Sequence, residues 1–130
     1  MDGTRIVRYT LWASLPFNLG AAYILAFPSS MFGRLAGFPE SVPLMYAALL
    51  SFLVCLFGVV CAWLAVQPRI DRPLVAVAAI GKTGVFLIAI ALWLTSNASG
   101  RIVLIACGDL AFAIVWFWWL VSPRGEADDA

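Results

Sequence analysis

Two stretches of the chain contain no charged residue and are each long enough to cross a lipid bilayer. They run from Tyr9 to Gly33 and from Ser41 to Pro68. Two further apolar runs, from Leu74 to Thr95 and from Ile102 to Val121, carry one charged residue apiece. A helix needs about 20 apolar residues to cross a hydrocarbon core of about 30 Å. We therefore predict four transmembrane helices, at about 8–28, 43–66, 73–95 and 101–121.

The predicted fold is all-α, an integral membrane four-helix bundle formed by residues 1–130 as a single transmembrane domain. Within lipid a spanning segment must satisfy its own backbone polar groups, and these runs lack the alternation of a β-barrel strand. A short acidic segment, 124–130, follows the last helix. The longest connection, 28–42, carries apolar residues at spacings that suit either a short interfacial helix or a lid.

The positions of the basic residues predict that both termini are cytoplasmic. By the positive-inside rule, the side with more Arg and Lys in its short loops faces the cytoplasm. One side holds five arginines and the other holds two: Arg5, Arg8, Arg69, Arg72 and Arg124 against Arg34 and Arg101. Tryptophans are predicted to line both interfaces, the inner one with Trp63, Trp116, Trp118 and Trp119, and the outer one with Trp93.

The composition excludes several classes of protein and of site. Hydrophobic residues make up 64% of the 130 residues and charged ones 12%, far from the balance of a water-soluble domain. A formal charge of +1 gives no basic field for nucleic acid, so the expected partner is the lipid bilayer. The chain has no histidine, and its three cysteines form neither a CxxC pair nor a disulfide framework. We predict no cofactor and no metal site.

Two charged residues lie inside predicted spans, where each costs about 2.5–3.5 kcal/mol to insert. Lys82 is in the third helix and Asp109 is in the fourth. At about 1.5 Å per residue, Lys82 lies roughly 14 Å and Asp109 roughly 18 Å from the inner ends of their helices. Helices joined by a short turn are antiparallel neighbours. We therefore predict an intramembrane ion pair between Lys82 and Asp109.

A third polar residue, Asn18, falls at a similar depth in the first helix, roughly 15 Å from its inner end. Ser14 lies one turn below it. If the first helix packs against the third and fourth, Asn18 completes a buried polar cluster with Lys82 and Asp109. These three residues form the candidate binding site.

The sequence leaves the purpose of this cluster open between two alternatives. In the first, the ion pair fixes how helices assemble, and the chain is a structural or accessory membrane subunit, as a homo-oligomer or with a membrane partner protein. In the second, the cluster belongs to a small transporter or a site for a lipophilic ligand. A ligand site requires a cavity at the cluster, whereas a purely structural pair requires dry packing. No nucleophile–base arrangement is present, so we predict that the chain is not an enzyme.

Two short motifs accompany this architecture. They are the run of residues 81–84 around Lys82 in the third helix and the Gly108–Phe112 run of the fourth. With four helices, a long first connection and short later ones, the chain resembles the small bacterial inner-membrane proteins grouped as DoxX-like. The resemblance implies a multi-pass protein of the bacterial inner (plasma) membrane. It assigns no functional residue.

Overall fold

The computed structural model describes residues 2–39 and 41–122, and within them the chain forms five helices and no strand. In chain order they are α1 (Gly3–Ala26), α2 (Met31–Ala36), α3 (Leu44–Val66), α4 (Arg72–Leu94) and α5 (Gly100–Val121). The all-α prediction is confirmed. The bounds of α3, α4 and α5 differ from the predicted ones by one residue at most, whereas α1 begins well before the predicted 8–28 segment and ends before it does. The acidic segment 124–130 lies outside the described residues.

Three helices of the described part, α3, α4 and α5, are long and apolar enough to cross a membrane. The first helix has 24 residues but does not belong to this group. Polar residues interrupt its apolar sequence, and two of them, Ser14 and Asn18, are buried against the other helices. Length and hydropathy therefore support three of the four predicted spans.

The long helices form two antiparallel pairs, α1 with α3 and α4 with α5. In the first pair, Ser51 near the start of α3 donates its hydroxyl proton to the carbonyl oxygen of Ala22 near the end of α1, at 2.8 Å. Arg8 near the start of α1 contacts Ala65 near the end of α3. The two pairs meet where α1 packs on α5. Although only a short turn joins α3 to α4, these two helices are not among the closely packed pairs. The α3–α4 side is consequently less closely packed than the sides formed by the other neighbouring helices.

Two arginines cap helix C-termini at one end of the bundle, which we call the arginine end. The Arg8 guanidinium of α1 donates to the carbonyl oxygens of Ala65 and Gln67, at 2.5 and 2.8 Å. The Arg72 guanidinium of α4 donates to the carbonyl oxygen of Leu120 and lies 4.7 Å from the ring centroid of Trp119. The last carbonyls of a helix have no partner within it and carry partial negative charge, so a cation there is stabilising.

The apolar core fills the half of the bundle next to the arginine end. All four long helices contribute to it, and its largest fully buried side chain is that of Trp116. The Trp116 indole donates from Nε1 to the Thr10 hydroxyl at 2.9 Å. The prediction that Trp116 and Trp119 line an interface is therefore wrong, because both are buried in the core. Trp63, Trp93 and Trp118 are about half exposed on the outside of the bundle.

The opposite end of the bundle, which we call the α2 end, is crossed by the connection between α1 and α3. The Ser30 hydroxyl caps α2 by accepting from the Gly33 amide at 3.1 Å. Gly37 ends the helix in the left-handed conformation, with φ of 80°, which a side chain would strain. Gly33 and Ala36 are buried, and the apolar residues on the other face are exposed: Met31, Phe32 and Leu35. The sequence suits either a short interfacial helix or a lid in this connection, and the structure has a short amphipathic helix there.

Candidate functional site

A layer of hydrogen-bonded polar side chains crosses the middle of the bundle. Lys82 Nζ lies 2.5 Å from Asp109 Oδ1 and 3.1 Å from Asn18 Oδ1. Asn18 Nδ2 in turn donates to the Ser14 hydroxyl at 3.3 Å. All four residues are buried. We call these four residues the polar layer; it contains the predicted ion pair and brings Asn18 to it.

Helix periodicity explains why these side chains meet. Each one continues the buried stripe of its helix, three or four residues from small or apolar neighbours, such as Ala78 and Ala79 before Lys82 and Ala106 before Asp109. The buried alanines and glycines let the helices approach closely. A Cβ atom on Gly58 of α3 would lie 2.9 Å from the Asn18 Cβ, so this glycine is required for α1 to pack at its observed distance.

Three phenylalanine rings surround the ammonium group of Lys82. The Nζ atom lies 5.2 Å from the ring centroids of Phe17 and Phe112 and 5.7 Å from that of Phe57. A cation within about 6 Å of an aromatic face is attracted by its quadrupole, more strongly when water is excluded. These rings, which we call the phenylalanine cage, offset part of the cost of burying the charge.

The polar layer uses most of the hydrogen-bonding capacity of Lys82 but only part of that of Asp109. An ammonium has three protons, and two of them have acceptors, on Asp109 and Asn18. Of the two carboxylate oxygens, Oδ1 binds Lys82, and Oδ2 has no hydrogen-bond partner among the described residues. The Lys82 side chain is 3% exposed, whereas that of Asp109 is 13% exposed. The carboxylate is therefore the more accessible member of the pair.

Asp109 is accessible because three residues of the polar layer, Asn18, Lys82 and Asp109, form the floor of a cavity of about 590 Å³. Its walls are aliphatic or aromatic and come from all four long helices and from Phe38 after α2. Asn18, Lys82 and Asp109 are the polar side chains among its lining residues. The cavity lies in the half of the bundle toward the α2 end, since its lining on α4 runs from Gly81 to Leu92. We call this cavity the cleft.

The cleft opens sideways, between α3 and α4. The rim of this opening consists of residues that line the cavity and are also about half exposed on the outside of the bundle. They include Leu50 and Leu53 on α3 and Val85 and Ile88 on α4. The same two helices close over the apolar core at the arginine end. The bundle is therefore tightly packed on one side of the polar layer and open on the other.

The structure brings together all three residues of the sequence-predicted site, but sequence reasoning missed their surroundings. Neither the phenylalanine cage nor the cleft was predicted. One signal was available for the cage: Phe112 follows Asp109 by three residues, so both lie on one face of α5. Phe17 and Phe57 carry no comparable pattern, and the opening between α3 and α4 depends on tertiary packing.

The described residues contain no group of three or more His, Cys, Asp or Glu residues arranged to hold a metal ion. The cysteines are unpaired and lie apart, with Cys61 buried, Cys55 half-buried and Cys107 exposed on the outside of α5. The chemistry available at the site is consequently ion pairing and hydrogen bonding at the base of an apolar cavity.

Comparisons of the chain with protein-family models, with curated proteins and with solved structures found no match.

Proposed function

We propose that the chain is a multi-pass membrane protein that binds a lipophilic ligand in the cleft between α3 and α4. One observation carries this proposal: an apolar cavity of about 590 Å³ ends on a buried ion pair and opens sideways. Small-molecule sites have volumes of about 300–1,000 Å³ and combine apolar walls with a few polar groups, as the cleft does. A lateral opening in a membrane-embedded bundle admits molecules that are already dissolved in the bilayer.

The proposal includes α1 as a fourth span, although its hydropathy is lower than that of the other three. Since α1 is antiparallel to α3 and packs along it, the two helices occupy the same layer of the membrane. Two of the polar residues that lower its hydropathy, Ser14 and Asn18, are buried, whereas Trp12 and Leu19 are exposed on its outer face. Arg8 lies at the level of the end of α3, where it can reach the headgroup region.

Four spans place both termini on one side of the membrane. The arginine end then faces the cytoplasm by the positive-inside rule, and the α2 end faces the opposite side. The resemblance to DoxX-like proteins, and not this topology, is the reason to propose a bacterial inner membrane. The resemblance to DoxX-like proteins stays a prediction.

A structural role for the ion pair is the second candidate function, and it is compatible with the first. Within the described part of the chain, every fully buried side-chain nitrogen or oxygen has a hydrogen-bond partner. Lys82 joins α4 to both α5 and α1, so the pair fixes three helices relative to one another. A purely structural pair needs no cavity beside it, and for this reason ligand binding ranks first.

Photolabelling with an aliphatic diazirine in nanodiscs tests the proposed function. Ile105 lines the cleft, whereas the neighbouring Leu104 is 73% exposed and does not line it. We expect saturable labelling at Ile105, displaced by excess dodecanol, and non-saturable labelling at Leu104. Equal, non-displaceable labelling at both positions would show that the cleft is merely lipid-facing surface.

A matched pair of variants provides the control for this experiment. A Cβ atom on Gly81 would lie 3.6 Å from the Phe57 ring, on the boundary of the cleft, whereas one on Gly84 of the same helix would meet nothing within 4 Å. Gly81→Leu should therefore abolish the saturable labelling at Ile105, and Gly84→Leu should leave it unchanged. Loss of labelling in both variants, or in neither, would contradict the assignment of the site.

A further inference from the structure

We propose that the ligand of the cleft is a neutral lipid with a hydroxyl head group, whose hydroxyl donates a hydrogen bond to Asp109 while its hydrocarbon chain lies toward the α2 end. This inference rests on the proposed function and specifies its substrate class. It follows from the charge balance of the cleft floor, from the hydrogen-bonding groups left free there, and from the shape of the cavity.

The charge balance excludes an ionised head group. Lys82 and Asp109 carry opposite unit charges 2.5 Å apart, so the floor of the cleft has no net charge. A carboxylate or an ammonium head would bring a third charge into an apolar cavity where no counter-charge remains for it. Burying a charge without a partner is strongly unfavourable. The head group must therefore be uncharged.

The free hydrogen-bonding groups determine which neutral head fits. The Lys82 ammonium is enclosed by Asp109, Asn18 and the phenylalanine cage, and its side chain is 3% exposed. Asp109 is more exposed, and its Oδ2 has no partner among the described residues. An ionised carboxylate only accepts hydrogen bonds, so the head must supply a donor. A hydroxyl is the simplest neutral donor, and its bond to a charged acceptor is stronger than one between neutral groups.

The shape of the cavity determines the rest of the ligand. The wall on α4 extends from Lys82 to Leu92, ten residues or about 15 Å of helix. Along this length the lining side chains beyond the polar layer are apolar, ending near Ile102 and Phe38. A hydrocarbon chain fits an apolar space of this length, whereas the mid-membrane position of the floor disfavours a large hydrated head group.

Three compounds with one chain and different heads test this inference: dodecanol, dodecanoate and dodecylamine. Their affinities for the purified protein can be measured by native mass spectrometry at a pH where the acid and the amine are charged. We expect the wild type to bind dodecanol at least about tenfold more tightly than either charged compound, because a charged head would be buried without a counter-charge.

Two variants should invert this preference. Asp109→Asn leaves Lys82 as an unpaired cation, and the variant should select dodecanoate. Lys82→Met leaves the carboxylate unpaired, and that variant should select dodecylamine. The Gly84→Leu variant, which alters a position outside the cleft, should keep the preference of the wild type for dodecanol.

The outcomes distinguish the proposed ligand site from the assignment of its head group. If the wild type binds dodecanoate or dodecylamine as tightly as dodecanol, and Gly81→Leu abolishes this binding, the cleft is a ligand site and the hydroxyl assignment is wrong. If none of the three compounds binds the wild type, or if all bind Gly81→Leu equally well, the proposed function itself is wrong. The affinities of the wild type for the three compounds identify the head group even if a charge-removing variant fails to fold.

Discussion

Removing one member of the Lys82–Asp109 pair should destabilise the bundle far more than removing both. At their separation of 2.5 Å, two unit charges attract each other by about 7 kcal/mol at an effective dielectric constant of about 20. The desolvation of both groups offsets much of this attraction. Once one partner is removed, the other bears its desolvation cost without the compensating attraction, and a loss of about 3–5 kcal/mol is typical.

The pair offers nearly isosteric replacements for this experiment. Lys82→Met retains most of the apolar stem within the phenylalanine cage, and Asp109→Asn retains the shape of the carboxylate. Each single variant should lose about 3–5 kcal/mol of unfolding free energy, and the double variant should fall within about 1 kcal/mol of the wild type. Lys82→Met should be the milder change, because the remaining Asp109 carboxylate is 13% exposed and Lys82 is 3% exposed.

Reversible unfolding in mixed detergent micelles, followed by circular dichroism, measures these differences. The coupling energy from the complete double-mutant cycle isolates the interaction between the two side chains. Single losses of about 3 kcal/mol or more and a double variant within about 1 kcal/mol of the wild type imply a coupling of about 5 kcal/mol or more. Single variants that each lie within about 1 kcal/mol of the wild type, as is typical of exposed ion pairs, would refute the reasoning.

Three further predictions concern the packing and the topology. Gly58→Ala should destabilise the protein by about 1–3 kcal/mol in the same unfolding assay, because its Cβ would lie 2.9 Å from that of Asn18. The control is Gly20→Ala, which should be neutral or stabilising because its Cβ would meet nothing within 4 Å. Trp116→Phe should cost about 2 kcal/mol through the lost hydrogen bond to Thr10 and the void left in the core, and an unchanged midpoint would contradict that contact. Alkaline phosphatase and green fluorescent protein fused to each terminus should report both termini in the cytoplasm; termini on opposite sides would mean that α1 does not cross the membrane.

The helices and the polar layer were predictable from the sequence because both depend on local rules. Apolar run length determines where a spanning helix can form, and the bounds of α3, α4 and α5 agree with it closely. The insertion cost of Lys82 and Asp109 requires that they be paired, and rise per residue places them at similar depths. The depth of Asn18 follows from the same arithmetic.

The cleft could not be predicted because it is a property of how helices pack. A short turn between α3 and α4 suggests close neighbours, yet these helices are not closely packed and both line the cleft. The packing of α1 against its neighbours depends on Gly58 of α3, where a Cβ would lie 2.9 Å from that of Asn18, and on Gly108 of α5, where a Cβ would lie 2.5 Å from the Phe17 ring. No periodicity in the sequence identifies which of several glycines makes such a contact.

The positions of the aromatic residues illustrate the same limit. Trp116 lies near a helix end, where tryptophan usually meets the membrane interface, but its indole finds a hydrogen-bond partner in Thr10 and is fully buried. Composition and position gave no reason to separate Trp116 from Trp118, which is half exposed two residues further along α5. The two tryptophans differ in burial because they lie on different faces of α5, and the face that carries Trp116 contacts Thr10 of α1.

A crystal structure grown from a lipidic mesophase containing dodecanol labelled with bromine at its chain end is the most direct test of the cleft. We predict an anomalous bromine peak near Leu92 and Ile102, and density for the hydroxyl within hydrogen-bonding distance of Asp109. A bromine peak on the outer surface of the bundle, with α3 and α4 closed against each other at the level of Phe57 and Val85, would contradict the existence of the ligand site.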